Sequence, residues 1–502
     1  MISQDIVFSW LPVLAVIVPL VGTLVIYMVE YRSWRLRNAL SVVTAAITLI
    51  VVLDMYPAIR AGKIIEANFP RIIPPLGMSF RVDPLGFLLA VTTAFIWLMV
   101  TLYSLEYMSH EHHKNRYYPF LILTLSGCLG VVLTGDLFSL FVFFELMSLT
   151  AFVLVIHEET PEAMRAGFKY LVMTIVGSLA LFFAIVVTYE LAGTLKFSPN
   201  GFFFDTSLLS FLGFLGYIVG FGVKAGMVPL HVWLPDAHPV APSPASALLS
   251  GLMIKTGAYG LLRVIYNVYG ADLIQAMGWY NILIWAAAIT IFLGSAVAIV
   301  QDDIKRRLAY SSIGQMGYIL LGMGLFTQSA LVGDIFHIFS HAFMKSTLFL
   351  CAGAIIYKTG LRKIKDLAGI GKKMPITMGA FTTAAMAMIG IPPLNGFISK
   401  WNLSLGALQA GKPFFVFLLL VSSLMNMIYY APIIITAFMS GDHINDDHAE
   451  HETDKKRRLF GEVPPAMLIP MVILALGCLV FDLFPENLPL YLATLSARLL
   501  FR

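Results

Sequence analysis

The chain has 502 residues, of which 59% are hydrophobic and only 12% are charged. Because soluble globular proteins carry roughly 25% charged residues, this composition excludes a soluble protein and predicts one that lies within a membrane. The formal net charge of +4 does not indicate a nucleic-acid partner, since the positive residues are distributed among many loops rather than gathered in one patch.

Apolar segments of about 20 residues, the length that crosses a bilayer as a helix, recur along the whole chain. We therefore predict an all-α polytopic membrane protein with about 14 transmembrane helices. The predicted spans are residues 7–28, 38–56, 84–104, 118–134, 137–157, 168–192, 207–229, 244–267, 279–300, 308–326, 331–356, 377–400, 413–439 and 464–484. The first span lacks a basic segment before it and a small-residue cleavage site after it, so we expect it to be retained.

Basic residues are concentrated in the loops that follow odd-numbered spans. They include Arg32, Arg35, Arg37, Lys114, Arg116, Arg165, Lys169, Lys305, Arg306, Arg307, Lys358, Arg362, Lys363, Lys365, Lys372, Lys373, Lys455, Lys456, Arg457 and Arg458. Because cytoplasmic loops hold the excess of lysine and arginine, both termini are predicted on the outer side. We expect the membrane to be the cytoplasmic membrane of a prokaryote.

The segment Phe221–Lys255 contains five prolines between Lys224 and Lys255, which predicts a transmembrane helix that is broken and then resumed. Its sequence Pro-Leu-His-Val-Trp at residues 229–233 is echoed by Pro-Leu-Asn-Gly-Phe at residues 393–397. Two interrupted spans in corresponding positions indicate paired structural repeats, and a period of five spans inverts the second repeat. Spans seven and twelve are thus the predicted broken helices.

These features divide the chain into five regions. They are residues 1–117 with helices one to three, 118–267 as the first inverted repeat, 279–439 as the second, 440–463 as a polar loop, and 464–502 with helix fourteen and the C-terminus. Residues 441–456 carry histidines beside acidic residues. Such a run suits a metal, but we interpret it as a solvated cytoplasmic loop.

Several ionisable residues occur at predicted membrane depth, where each is costly unless it faces water, a partner charge or a proton path. In chain order they are Glu145, Lys224, Lys255, His337, His341, Lys345 and Lys400. Lys224 is the natural partner of Glu145, and the spacing of His337, His341 and Lys345 places them on one helical face. We predict a lateral proton path near mid-membrane, with water filling the gaps. Static ion pairing and packing are the alternative interpretations.

Four residues lie near the predicted mouths of this path. They are Asp136, His231, Asp236 and His238. Helix capping would explain Asp136 equally well.

The sequence contains no Walker phosphate loop, no dinucleotide glycine fingerprint and no paired cysteines. Cys128, Cys351 and Cys478 each stand alone in apolar segments. We therefore predict no catalytic site, no cofactor and no metal in this chain. Its energy must come from an ion gradient or from a redox partner.

Five stretches resemble the antiporter-like subunits shared by respiratory complex I, membrane-bound hydrogenases and Mrp-type cation/proton antiporters. They are TGDLFSLFVFFELMSL, VKAGMVPLHVWLPDAHPVAPSPASALLSG, KRRLAYSSIGQMGYI, HAFMKSTLF and IGIPPLNGFISKW. The resemblance covers residues Asp83–Phe438. It implies fourteen helices in two inverted five-helix repeats, with helices seven and twelve broken.

The resemblance also implies roles for the ionisable residues. Glu145 and Lys224 would form a pair, Lys255 would be the central carrier, and Lys400 the terminal lysine. His337, His341 and Lys345 would be the relay between them. The chain's length and the lysine at position 400 make it most similar to the D-type component of Mrp antiporters and to hydrogenase-associated relatives, two groups that the sequence does not separate.

We therefore expect a proton-translocating subunit of a multisubunit complex, with sodium exchange as an option. The family implies other membrane subunits as partners and, in some complexes, a cytoplasmic redox arm. Iron–sulfur clusters, flavin or nickel and iron would then be carried by partner subunits. Two alternatives stay open: a stand-alone secondary transporter of an organic solute, which paired broken helices also suit, and an inactive membrane scaffold for a redox arm.

Overall fold

The structure is a computed structural model that describes residues 5–30, 32–73, 76–439, 461–484 and 489–501. The loop at residues 441–456, for which a metal site and a solvated loop were both considered, lies outside the described residues. Everything that follows concerns the described part of the chain.

Helices form most of the described chain. They are α1 (Leu11–Val29), α2 (Trp34–Leu53), α3 (Tyr56–Arg60), α4 (Pro84–Tyr107), α5 (Lys114–Val132), α6 (Leu137–Val155), α7 (Pro161–Ala192), α8 (Leu208–Ala225), α9 (Leu234–Val240), α10 (Ser243–Leu248), α11 (Ile254–Arg263), α12 (Ala271–Ala276), α13 (Tyr280–Ile299), α14 (Ile304–Gly324), α15 (Gln328–Thr359), α16 (Ile370–Lys373), α17 (Pro375–Ile389), α18 (Gly396–Gln409), α19 (Pro413–Met439), α20 (Pro465–Leu483) and α21 (Pro489–Leu500). Two π-helical segments, Leu249–Met253 and Val264–Tyr269, join α10 to α11 and extend α11.

The predicted polytopic helical fold is confirmed. Within the described residues, ten helices or continuous helical runs are long and apolar enough to cross a membrane. Pro375–Ile389 and Pro465–Phe481 are shorter apolar helices. A helix lies at each predicted span, but α5 and α14 begin with charged residues that interrupt the apolar run, and the count of fourteen stays a prediction.

A small sheet was not anticipated, because its segments lie in what the hydropathy pattern indicated as the N-terminus and a long loop. Strand β1 (Ile6–Phe8) pairs in parallel with β2 (Ile64–Ile73). Strand β2 pairs antiparallel with β3 (Leu76–Val82), which leads directly into α4. The sheet therefore joins the first span to the loop between spans two and three.

Helices α7 and α15 repeat one another at a separation of 167 positions. Each has 32 residues and begins after a threonine whose side chain caps it, Thr160 for α7 and Thr327 for α15. Each ends at a glycine in the left-handed region, Gly193 for α7 and Gly360 for α15. Identical lengths, caps and ends at a constant separation support the predicted pair of repeats.

The helices before them follow the same separation. Asp136 caps α6 and its backbone bridges to Lys196, while Asp303 caps α14 and its backbone bridges to Lys363. Asp136 and Asp303, like Lys196 and Lys363, are 167 positions apart. The two repeats thus share a helix start tied to the loop that follows the next helix.

Two elements are enclosed on all sides: the helical run Ser243–Tyr269 and the central part of α15. They pack on one another through Gly251, where an added Cβ would lie 2.2 Å from Ser346 Oγ. Only glycine permits so close an approach. The predicted site residues Lys255, on the first of these elements, and His337, on the second, therefore lie in the interior of the bundle.

A buried ion pair joins the N-terminal helices to the first repeat. Arg263 donates through both terminal nitrogens to the two carboxylate oxygens of Asp83, each at 2.7 Å. Asp83 also caps α4 by accepting from the Gly86 amide at 2.9 Å. Bidentate geometry and a second donor compensate the desolvation of both charges.

We expect Arg263→Met to lower the free energy of unfolding by about 3–5 kcal/mol, because the carboxylate of Asp83 would stay buried without its partner. The double variant Asp83→Leu, Arg263→Met should recover much of this loss. Arg165→Met is the matched control, since its pair with Glu162 is exposed and should contribute less than about 1 kcal/mol. Thermal unfolding of the detergent-purified protein measures all three, and equal losses in the single and double variants would contradict the prediction.

Candidate functional site

Lys224 lies at the end of α8 and is held by hydroxyl groups. Its Nζ donates to Ser148 Oγ at 3.1 Å and to the Tyr170 hydroxyl at 2.8 Å. Tyr170 in turn donates to the Ser148 carbonyl at 2.9 Å, so its oxygen is free to accept from the lysine. Two neutral oxygens thus accept hydrogen bonds from the buried Nζ of Lys224.

Glu145 does not contact Lys224 directly, which differs from the predicted ion pair. Its carboxylate accepts a short hydrogen bond from Ser178 Oγ. No ion pair within 4.0 Å joins the two groups in the described chain, although they interact electrostatically. Ser148, one turn after Glu145 on α6, accepts from Lys224 in its place. The structure therefore shows the two residues in the separated arrangement.

Glu145 lies on the outer flank of the bundle. Its side chain is partly exposed, and on the same helix Val142 and Leu149 are 37% and 53% exposed. A carboxylate among lipid-facing apolar side chains is costly. This flank is consequently the place where a neighbouring membrane chain would cover the site.

Lys255 lies at the junction of a π-helical segment with α11. Its Nζ donates in a short hydrogen bond to the carbonyl of Ser250, within that segment. π-helical turns are frequent at functional sites. Lys255 also lines a cavity of 10 Å³ with Thr92 and Thr256, room for about one water molecule.

Helix α15 carries the predicted relay in its buried centre. The imidazole rings of His337 and His341 are parallel, with centroids 5.7 Å apart, and His337 Nδ1 lies 2.8 Å from Ser399 Oγ. Lys345 Nζ donates to the Leu308 carbonyl at 2.9 Å and to two hydroxyls, of Ser311 and Tyr430. The face of α15 thus presents two imidazoles and an amine to the interior.

Lys400 follows the second helix break, and its side chain reaches back across it. Nζ donates to the carbonyls of Met388 and Ile389 at 2.8 and 2.9 Å and to Ser423 Oγ at 3.0 Å. Those carbonyls are free because α17 ends at Ile389. Gly390 follows with φ of 93°, and a Cβ there would lie 2.9 Å from Lys400 Cδ. Glycine is therefore required both for the turn and for the passage of the lysine.

The predicted residues lie close to one another in order. Lys224 Cβ is 3.2 Å from the position of a Cβ on Gly257, two residues after Lys255. Lys255 interacts electrostatically with His337, His341 and Lys345. His337 interacts in the same way with the terminal lysine at position 400. The geometry brings the row together, and its role in proton transfer stays a prediction.

Asp136, predicted near a mouth, is buried and caps α6. It accepts from the Ser139 amide at 2.7 Å, from Ser139 Oγ at 2.6 Å and from the Ser79 amide at 2.8 Å. It also lines a cleft of 300 Å³ together with Lys196. The hydrogen bonds are those of a cap, while the cleft leaves its predicted role at a mouth as a proposal.

The other predicted mouth residues lie around α9. Asp236 pairs with Lys169 at 2.7 Å and with Arg306 at 3.5 Å, and all three line an open cleft of 400 Å³. His238 is fully buried behind it and stacks on Phe349 with centroids 4.7 Å apart. The fourth residue, His231, lies half-buried in the break.

Sequence reasoning missed a cluster at the same end of the bundle. Lys305, assigned to a loop, is buried and donates to the carbonyl of Ala241. Glu111 and Glu158 approach it from two other loops, and burial raises the pKa of both carboxyls. Their positions depend on how the start of α14 meets two loops, which no local pattern encodes. The buried aspartate at position 334 was also missed.

Among the described residues, no group of three or more histidine, cysteine, aspartate or glutamate side chains is placed to hold a metal ion. Cys128, Cys351 and Cys478 are buried free thiols. The row of lysines and histidines is therefore the main concentration of titratable chemistry in this part of the chain.

Comparisons with known proteins give a consistent result. Residues 134–426 match the family described as "NADH:quinone oxidoreductase/Mrp antiporter, TM", and residues 75–118 match the "NADH-Ubiquinone oxidoreductase (complex I), chain 5 N-terminus". The chain is 37% identical to the NADH-quinone oxidoreductase subunit N of Desulforudis audaxviator, over 83% of this chain and 84% of that one. It is 28% identical to the D-type component of the Na⁺/H⁺ antiporter of Bacillus subtilis, over 97% of each chain.

A solved structure shares the fold over nearly its whole length. It is a chain of the membrane-bound sulfane sulfur reductase, an archaeal respiratory membrane complex, with a TM-score of 0.88 and 26% identity over 98% of each chain. The match to the NADH:quinone oxidoreductase/Mrp antiporter family covers more than half of this chain, and it includes every residue of the predicted row.

We expect Tyr170→Phe to lower the free energy of unfolding by about 1.5–3 kcal/mol, because the Lys224 ammonium would lose a hydrogen bond in the interior. Tyr189→Phe on the same helix is the control, since Tyr189 is 38% exposed. Thermal unfolding of the two purified variants beside the parent protein tests this. If both variants unfold at the same temperature as the parent protein, the hydroxyl of Tyr170 does not stabilise a charged Lys224.

Proposed function

The chain belongs to the family of NADH:quinone oxidoreductase and Mrp antiporter membrane subunits, and on that premise we propose that its buried row is the path along which it translocates protons within a multisubunit complex. The observation that carries this proposal is the row itself. Lys224, Lys255, His341, Lys345 and Lys400 are all buried, and each interacts with a neighbour in the row or packs beside it. Burying an isolated cation is energetically unfavourable, so several buried cations in one row indicate a function.

The separation of Glu145 from Lys224 supplies the first step. When Glu145 turns from Ser178 to Lys224, its negative charge stabilises the ammonium. When it returns to Ser178, as in this structure, only the hydroxyls of Ser148 and Tyr170 hold the lysine. The proton can then leave Nζ and pass by water to the next amine, on Lys255, so that one positive charge moves along the row.

Like charges govern the remaining steps. A proton on Lys255 disfavours a second one on His341 or Lys345, because the groups share a medium of low dielectric constant. The histidines then transfer charge towards Lys400. Asp236, with His238 behind it, lies at one mouth of the path, and Asp136 lines the cleft at another.

The relatives of this chain support two energy sources and a set of partner subunits. Glu145 opens on a flank that needs cover by a neighbouring membrane subunit. The relative from a Na⁺/H⁺ antiporter supports exchange of protons for sodium, and the relative from an NADH-quinone oxidoreductase supports coupling to a redox module. Iron–sulfur, flavin or nickel–iron groups would then belong to partner chains. We place the chain in a prokaryotic cytoplasmic membrane with both termini outside, as its charged loops favour.

We expect Lys224→Ala to reduce proton transport per assembled complex at least about tenfold, since a general acid–base group contributes roughly 10²–10⁴-fold. Lys365→Ala, an exposed lysine, is the control and should leave transport unchanged. Acridine-dye fluorescence in inverted membrane vesicles, driven by NADH in one arm and by a sodium pulse in the other, measures the rate. Parent rates in Lys224→Ala would refute the path.

The same assay separates the alternatives. If the chain is an inactive scaffold, neutralising Lys255 and Lys400 together should impair assembly of the complex and leave transport per assembled complex unchanged. A carrier of an organic solute predicts a chain that is stable and active when purified alone. The proton path instead predicts full assembly with lost transport, and activity only in the presence of the partner subunits.

A further inference from the structure

The two repeats differ at one position that bears on how the path leaves the bundle. Tyr170, which contacts Lys224, has His337 as its counterpart 167 positions later, and His337 contacts Ser399 beside Lys400. One turn earlier, the first repeat has Gly167 whereas the second has Asp334. The acid is therefore an addition to the second repeat and not a requirement of the shared fold.

Asp334 is buried and its carboxylate is unpaired. Its side chain has no exposed surface, and neither oxygen has a hydrogen-bond partner among the described residues. It packs against α14 at Gly322, where an added Cβ would lie 2.6 Å from Asp334 Cβ and 2.7 Å from Leu403 Cδ2. Burying a carboxylate without a partner is strongly unfavourable. Its retention here therefore calls for a role other than packing.

Asp334 extends the titratable face of α15. Asp334, His337, His341 and Lys345 follow one another at intervals of three and four residues, which places them on one side of the helix. Asp334 lies about 4.5 Å from His337 along the axis, towards the start of α15, and Lys345 lies about 12 Å from His337 towards its end. The segment from His337 to Asp334, which we call the arm, thus extends the row along α15 towards the start of this helix.

Further buried polar atoms of α15, of α14 and of the second helix break have no hydrogen-bond partner among the described residues. They are both ring nitrogens of His341, Nε2 of His337, Oγ of Ser340, and the side-chain amides of Gln315 and Asn395. Buried polar groups are nearly always satisfied by protein or by ordered water. Water admitted among these groups would connect Asp334 with the histidines.

The inverted repeat indicates where the arm leads. In the first repeat, the start of α7 lies at an open cleft lined by Lys169 and Asp236, one turn or less from Tyr170. The predicted inversion of the second repeat places the start of α15 on the opposite side of the membrane, and Asp334 lies between that start and His337. Asp334 thus provides a proton-binding site between the row and the side of the membrane on which α15 begins.

We propose that Asp334 is a proton-carrying residue that connects His337 with the side of the membrane on which α15 begins. The inference rests on the proposed function, since it assumes that protons move along the row. The Asp334 carboxylate accepts a proton from the His337 imidazolium through intervening water, and the resulting carboxylic acid releases it to water on that side. One N–H bond breaks as one O–H bond forms, and the reverse occurs in the opposite direction. The lateral row and this arm then together form a route across the membrane.

The test uses Asp334→Asn in the assembled complex, because asparagine keeps the shape of the side chain and cannot exchange the proton. We expect proton transport per assembled complex to fall at least about tenfold, with unchanged recovery of the partner subunits. Asp334→Glu, which restores a carboxyl, should recover much of the activity. Asp272→Asn is the control, since Asp272 is an exposed acid in the short helix α12, outside the row. Acridine-dye quenching in inverted vesicles, driven by NADH or by a sodium pulse, gives the rates.

Lys224→Ala, measured in the same vesicles, separates the role of Asp334 from the proposed function. Parent activity in Asp334→Asn together with loss in Lys224→Ala overturns the role of Asp334 and leaves the proposed function in place. Parent activity in both overturns the proposed function. If Asp334→Asn does not assemble, Asp334→Ser gives the same comparison with a smaller side chain, and full activity of that variant also overturns the inference.

Discussion

The structure depends on keeping several lysine side chains inside a medium that disfavours charge. Its solution is to surround each ammonium with neutral oxygen atoms. Lys224 has two hydroxyls, Lys345 has two hydroxyls and a carbonyl, and Lys400 has two carbonyls and a hydroxyl. A neutral cage can hold either form of the amine without leaving an unpaired carboxylate behind. Direct ion pairs would fix each proton in place, whereas these cages allow it to be given up.

The cages explain why the helices are irregular at these points. A regular helix satisfies its own carbonyls and has none to spare for a side chain. The end of α17 frees the carbonyls that Lys400 uses, and a π-helical segment precedes Lys255. Lys224 lies before the first helix break, whereas Lys400 lies after the second. The side chain of Lys400 nevertheless turns back, so that its ammonium lies at the end of α17. In both repeats the lysine ammonium therefore lies at the end of the helix before the break, although the two lysines occupy different sequence positions in their repeats.

Hydropathy and charge predict much of this arrangement, because both are properties of single residues. A lysine or histidine within an apolar span is visible in the sequence, and so are the prolines of the breaks. The partners are not visible: Ser148, Tyr170 and Ser178 are ordinary residues until helix packing brings them to Lys224 and Glu145. The three-stranded sheet and the buried Arg263 contact to Asp83 depend in the same way on distant segments. Asp334 could have been predicted from the sequence, since it is an acid three residues before His337. The separation of 167 positions would also have shown that its counterpart in the first repeat is a glycine.

The position of Glu145 links the interior of this chain to its surroundings. Every lysine and histidine of the row is buried, but Glu145 lies partly exposed on the flank, between exposed Val142 and Leu149. Its hydrogen bond to Ser178 and its attraction to Lys224 compete for one carboxylate. A charge brought to this flank by a neighbouring subunit would act most strongly on Glu145, because Coulomb energy falls with distance and Glu145 is the member of the row that is exposed there. In the proposed mechanism, another chain would thus set part of the balance between the two positions of Glu145, which is a physical reason for such a path to work as part of a complex.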